Sequence, residues 1–190
     1  MKHLYITLIL LIPILGFGQK IDDKIDDFTG DRIITYSHKS LCQPLIDRSN
    51  VLNQFSLNID QVKQINDRFL MRILIPMSTY NFTREGYLWV LFEDGSKNKC
   101  DIEIYNEIIV FPKKSVYGYD ESILEFYINS EFIDKLSNGN QMKSIRFMTQ
   151  NGYIDYTNTG FKSKTKQVKR QKDVVEYFTG IKEYSLKLTK

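Results

Sequence analysis

With 190 residues, 42% of them hydrophobic, the chain has enough apolar content for one core of ordinary size. Its 26 Lys and Arg against 23 Asp and Glu give a formal charge of +3, too small to mark a nucleic-acid binder or a receptor for a strongly acidic ligand. Two histidines and two cysteines exclude a His-rich metal site, and the cysteines lie too far apart for a CxxC redox motif.

Lys2 and His3 precede an apolar run from Leu4 to Leu15, and Gly16-Phe17-Gly18 sets small residues where a signal peptidase cuts. Residues 1–18 therefore read as a secretory signal peptide cleaved before Gln19, ahead of a single β-rich domain over 19–190. The run is short for a hydrocarbon core of ~30 Å and Pro13 interrupts it, so no transmembrane anchor is expected after cleavage. No cysteine stands at the cut to carry a lipid. Lys2 is the only basic residue of the leader, which leaves 25 bases against 23 acids for the rest. The expected location is the periplasm or the cell exterior.

An acidic segment follows, Asp22-Asp23-Lys24-Ile25-Asp26-Asp27. Its spacing departs from an EF-hand loop and lacks the distal Glu, so it reads as a solvated, flexible terminus. Phe28-Thr29-Gly30 and the β-branched run Ile33, Ile34, Thr35 come next, the latter suited to a strand over Arg32 to Ser37. The leader's ending, Leu-Gly-Phe-Gly-Gln, resembles export signals of Bacteroidetes. The pattern Asp26-Asp27-Phe28-Thr29-Gly30 before a β-branched run likewise resembles the mature N-termini of uncharacterised secreted β-rich proteins of that group. The resemblance implies export and carries no activity with it.

Short β-prone runs then succeed one another. Leu52 to Ile59 alternates Phe55, Leu57 and Ile59, and Arg68 to Pro76 is apolar enough for burial on both faces. Tyr87 to Phe92 and Cys100 to Tyr105 flank Asp94-Gly95, a tight-hairpin signal. Glu107 to Phe111 and Ile123 to Ile128 predict two more strands. Asn151-Gly152 marks a second hairpin between Met142 to Thr149 and Tyr153 to Thr157. Ser130, Glu131 and Gly139 bracket a short helix that buries Phe132, Ile133 and Leu136. A second helix is predicted from about Lys162 to Phe178, with Val168, Val175 and Phe178 on one stripe and Gly180 as terminator. These elements predict an all-β dominated fold, β-rich α+β: an antiparallel β-sandwich or partly closed barrel with a short inserted helix and a C-terminal helix.

No residue stands out as catalytic. His38 is the only histidine after the leader, and no GxSxG elbow accompanies it. Asp101 and Glu103 share a face of their strand, a carboxylate pair of the kind glycosidases use, and also what a solvent face looks like. Asn81-Phe82-Thr83 matches a glycosylation sequon that has no mechanism in a bacterial host. Cys42 and Cys100 would form a disulfide in an oxidising compartment if their α-carbons come within reach. The run Lys162, Lys164, Lys166, Lys169, Arg170 and Lys172 offers an anion-binding helix face, or a merely solvated one. Tyr80, Phe82, Tyr87 and Trp89 cluster near one strand, where core packing claims Trp89, and Tyr117 and Tyr119 lie in a loop where rings can stack on sugars or a partner.

Taken together these residues describe an exported, non-enzymatic binding or envelope-associated domain without cofactor or metal. Its partner would be a glycan, an anionic surface or another envelope protein. The alternatives are a carboxylate-based hydrolase and a lipocalin-like carrier of an apolar ligand, the latter requiring a cavity inside the β core.

Overall fold

Alternation of apolar and polar side chains sets strand faces, and Asx and glycine turns set their register. The computed structural model describes residues 19–47, 54–76, 87–109, 121–149, 152–158 and 163–188. It contains strands β1 (Gln19–Ile25), β2 (Arg32–Asp47), β3 (Gln54–Ile65), β4 (Arg68–Pro76), β5 (Tyr87–Phe92), β6 (Lys97–Ile109) and β7 (Glu121–Ile128). Helix α1 (Ser130–Ser137), strands β8 (Met142–Thr149) and β9 (Gly152–Asn158), and helix α2 (Lys164–Leu188) complete it. The strands form one antiparallel sheet in the order β1-β2-β3-β4-β7-β6-β5-β8-β9, and the far end of β2 also pairs with β9. That seam holds only Leu45↔Asn158, Ile46↔Thr157 and Asp47↔Tyr156, so the barrel is partly rather than fully closed.

The interior is packed with rings. Phe92 meets Phe132 edge to face at 5.2 Å, and Phe147 meets Tyr156 at 5.4 Å, the geometry ring quadrupoles favour. Helix α1 contributes Phe132, Ile133 and Leu136 to this core, and α2 contributes Val174, Tyr177, Phe178 and Ile181. Tyr177 does more than fill space. Its hydroxyl accepts from the Val62 N–H and donates to the Tyr36 carbonyl, joining two backbone groups of facing residues on β3 and β2. Immediately beyond, β2 advances from Ser37 to Leu41 while β3 advances only from Gln61 to Ile59. The extra residues of this bulge interrupt the ladder and sharpen the local twist of β2.

Several expectations are corrected. The acidic opening segment is not a free terminus: Asp22 and Asp23 lie in β1, opposite Thr35 and Ile34. Arg32 grips Asp23 through Nε at 2.9 Å and Nη2 at 2.7 Å, and the Tyr184 hydroxyl of α2 donates to the same carboxylate at 2.9 Å. Charged side chains suit a sheet edge, where they discourage pairing with another chain. The motif after it is the β1–β2 turn. Asp26 Oδ1 accepts from the N–H groups of Phe28 and Thr29, each at 2.9 Å, and Gly30 takes φ 77°, an Asx turn closed by the one residue type that adopts that angle freely.

Glu107 belongs to β6 rather than to a separate strand, because irregularities between Ile102 and Ile104 and between Tyr105 and Glu107 carry the ladder onward. Asn129, not Ser130, caps α1, accepting from the Phe132 N–H at 2.9 Å. Gly180 does not end α2. Ile181 is buried beyond it, and Tyr184 and Leu188 pack on the core, so burial outweighs the helix penalty of glycine. Val168, expected on the buried stripe, is exposed. The expected disulfide is not found: Cys100 is a buried free thiol, its pKa pushed up to about 12 by burial, with Asp101 adding to the shift. Cys42 lies on β2 opposite Asn58, and three strands separate β2 from β6 in either direction around the sheet; the Cys42 side chain lies outside the described residues. Among the described residues no helix is long and apolar enough to cross a membrane.

Candidate functional site

The outer face of β6, β5, β8 and β9 presents a designed-looking surface whose rows follow from register. The Asp94-Gly95 hairpin sets Leu91 opposite Lys97, Trp89 opposite Lys99 and Tyr87 opposite Asp101. On the other side of β5, Trp89 faces Arg146 and Leu91 faces Ser144, while Arg146 in turn faces Asp155 of β9. Leu88, Val90 and Phe92 are buried, so the alternate residues Tyr87, Trp89 and Leu91 point outward. One row therefore reads Lys99, Trp89, Arg146, Asp155.

The turn that sets this register is well braced. Gly95 takes φ 85°, the Phe92 N–H donates to the Ser96 carbonyl at 2.9 Å, and Asp94 Oδ1 accepts from the N–H and hydroxyl of Ser96. Those bonds also hold the Asp94 carboxyl below the usual range.

A shallow groove of about 340 Å³ runs along these rows, lined by Trp89, Leu91, Lys97, Ser144, Arg146 and Asp155. Trp89 is 36% exposed and Tyr153 is 59% exposed. The Lys99 ammonium lies 4.0 Å from the centre of the Tyr87 ring, and Tyr87 meets Trp89 edge to face at 6.2 Å. Arg146 lies 4.0 Å over the Tyr153 ring and forms a two-pronged pair with Asp155, Nε at 2.6 Å and Nη2 at 2.7 Å. The fork fixes the guanidinium plane and does not use Nη1. Indole and phenol faces, a fixed guanidinium and two exposed lysines thus share one open surface.

A second outward cluster, on β3, β4 and β7, is of another kind. Arg72 Nε donates to Glu125 at 2.7 Å, Lys63 Nζ lies 3.6 Å from the same oxygen, and Arg72 Nη1 lies 3.5 Å from Asp60. Glu125 is only 3% exposed although it points away from the core. Two cations and two carboxylates satisfy one another, and Arg68 covers the Tyr127 ring at 3.7 Å. This face is closed upon itself.

Of the residues singled out from sequence, Asp101 and Glu103 are exposed on one face of β6. Lys164, Lys166, Lys169 and Arg170 lie on the first turns of α2, away from the groove strands, with Arg170 3.8 Å from Asp173 and Lys172 3.4 Å from Glu176. Neighbouring acids thus answer part of that charge. His38 packs edge to face on Tyr177 at 5.8 Å, and burial holds its pKa below the ordinary value, a packing position. Tyr117, Tyr119, Tyr80, Phe82, Lys162 and the Asn81-Phe82-Thr83 sequon lie outside the described residues. The assignment of Trp89 to the core is wrong. Every residue from Tyr87 to Phe92 is apolar or aromatic, so that strand alone does not reveal its outer face; the charged alternation Lys97, Lys99, Asp101 across the hairpin does. No family model, curated protein or solved structure matches the chain.

Proposed function

We propose that the protein is an exported, non-enzymatic binding domain and that its ligand is a saccharide lying across the outer groove of β5, β8 and β9. The observation that carries this reading is Trp89, a large ring left 36% exposed in the middle of a row of fixed polar groups. A sugar ring has an apolar face of C–H groups and an edge of hydroxyls. An indole at the floor takes the first by stacking, and orientated donors such as Arg146 Nη1 and the exposed lysines take the second. The sheet supplies rigidity, since each of these side chains sits on a strand rather than on a loop. Export is supported by the leader and by Gln19, the residue after the expected cut, being integrated into the fold through its pairing with His38. The test is a panel of neutral and acidic oligosaccharides titrated calorimetrically. Saturable binding to at least one class, lost in Trp89→Ala, is the expected outcome; binding that survives Trp89→Ala unchanged moves the site elsewhere.

A further inference from the structure

The two banks of the outer groove differ in charge balance. Leu91 faces Lys97 of β6 on one side and Ser144 of β8 on the other, and all three line the groove with Trp89, Arg146 and Asp155. On the β9 bank the Arg146 guanidinium and the Asp155 carboxylate cancel through their two-pronged pair. On the β6 bank nothing cancels Lys97, which is exposed and, among the described residues, has no carboxylate within ion-pair distance. The acids of the adjoining turn do not line the groove, and Asp94 is already bound to Ser96. Lys99, in the next row, differs: its ammonium rests 4.0 Å over the Tyr87 ring.

A surface lysine ordinarily needs no partner but water. This one borders the apolar floor made by Trp89 and Leu91, so a sugar lying there covers part of its hydration. A neutral ligand takes that water away without return, which is costly for an unpaired charge, whereas a ligand bringing the opposite charge replaces it. Resting on the saccharide reading, we propose that the ligand is an anionic saccharide and that Lys97 takes its carboxylate or sulfate group. Leu91 follows Trp89 by two residues along β5, about 7 Å at the ordinary rise of a strand, comparable with the length of one sugar unit. One unit stacks on the indole, and the next, over Leu91, carries its anionic group to Lys97 and a hydroxyl to Ser144. The ligand is therefore at least a disaccharide.

The experiment titrates the protein calorimetrically with matched pairs of probes: an oligogalacturonate against its methyl ester, and a sulfated galactan oligomer against its desulfated form. The expected result is a preference of about five-fold for the acidic member of at least one pair, the value of a partly exposed ion pair, and the pair that shows it identifies the anion. Lys97→Gln removes the preference and leaves affinity for the neutral member unchanged, whereas Lys99→Gln keeps it. Equal binding of both members, abolished by Trp89→Ala, overturns the proposal and leaves the saccharide reading standing. A preference that survives Lys97→Gln, or that Lys99→Gln removes equally, also overturns it, because the charge then acts through the whole face rather than through Lys97. Absence of binding to all four probes overturns both readings.

Discussion

Two outward faces of one barrel use similar side chains to opposite ends. On β3, β4 and β7 the charges close on each other, so that Glu125 is buried beneath Arg72 and Lys63. On β5, β8 and β9 the fork from Arg146 to Asp155 leaves an indole open beside it. The difference teaches that charged residues on a β surface become informative only through their partners. A network that satisfies itself stabilises the sheet, whereas a fork beside an uncovered ring offers a surface to something else.

Breaking the closed face has the largest expected effect. Glu125→Ala strands Arg72 and Lys63 beside a carboxylate-sized gap, at about 3 kcal/mol, the lower end for breaking a buried pair because both cations keep some water. Urea denaturation reads this as a lowered midpoint, with saccharide binding unaltered in the folded protein. Trp89→Ala reverses the pattern. Losing a central ring from the groove weakens binding by roughly 30-fold, about 2 kcal/mol, while stability shifts little because the ring is already partly in water. If Trp89→Ala instead lowers the urea midpoint as much as Glu125→Ala, the two faces do not differ and the comparison fails.

Much of this architecture is legible in the residues. The bounds of β4, β5 and β8 follow from apolar runs ended by turn residues, and Asp94-Gly95 marks the hairpin. What is not legible depends on distant partners. Nothing local makes Asp22 and Asp23 a strand; Arg32 and Tyr184 do. Gly180 reads as a stop because the burial of Ile181 cannot be seen from the helix alone. The site is half legible: Arg146 and Asp155 become partners once the second hairpin is in register, but the exposure of Trp89 needs the neighbouring strand as well.

Arg146→Ala is expected to cost binding about 10-fold, since one orientated charge-assisted donor is worth about 1.5 kcal/mol or slightly more. Its effect on stability is small, because Arg146 keeps 44% of its side-chain surface in water. Calorimetric titration beside Trp89→Ala measures both. The smallest effect sharpens the comparison from outside it. Burial lowers the His38 pKa from 6.5, with Arg170 reinforcing the shift and Asp173 and Glu176 opposing it. The unfolded chain therefore binds this proton more readily. Its contribution to stability is complete above pH 6.5 and is lost as pH falls through the lower folded value. The Arg32 fork depresses the Asp23 pKa from 3.8 in the same sense, so a second decline follows below that pH. Urea midpoints measured downward from pH 8 should fall first near the His38 range, and His38→Gln should flatten that limb without altering binding.

Trp89 is the only tryptophan in the chain, so the groove carries its own reporter. Intrinsic fluorescence followed during a saccharide titration tests the central claim most directly. A saturable change in intensity or wavelength, weakened about 10-fold by Arg146→Ala and kept in Glu125→Ala at a temperature where that variant is folded, is the result predicted here. An emission that stays constant across neutral and acidic oligosaccharides, or that responds identically in Arg146→Ala, contradicts it.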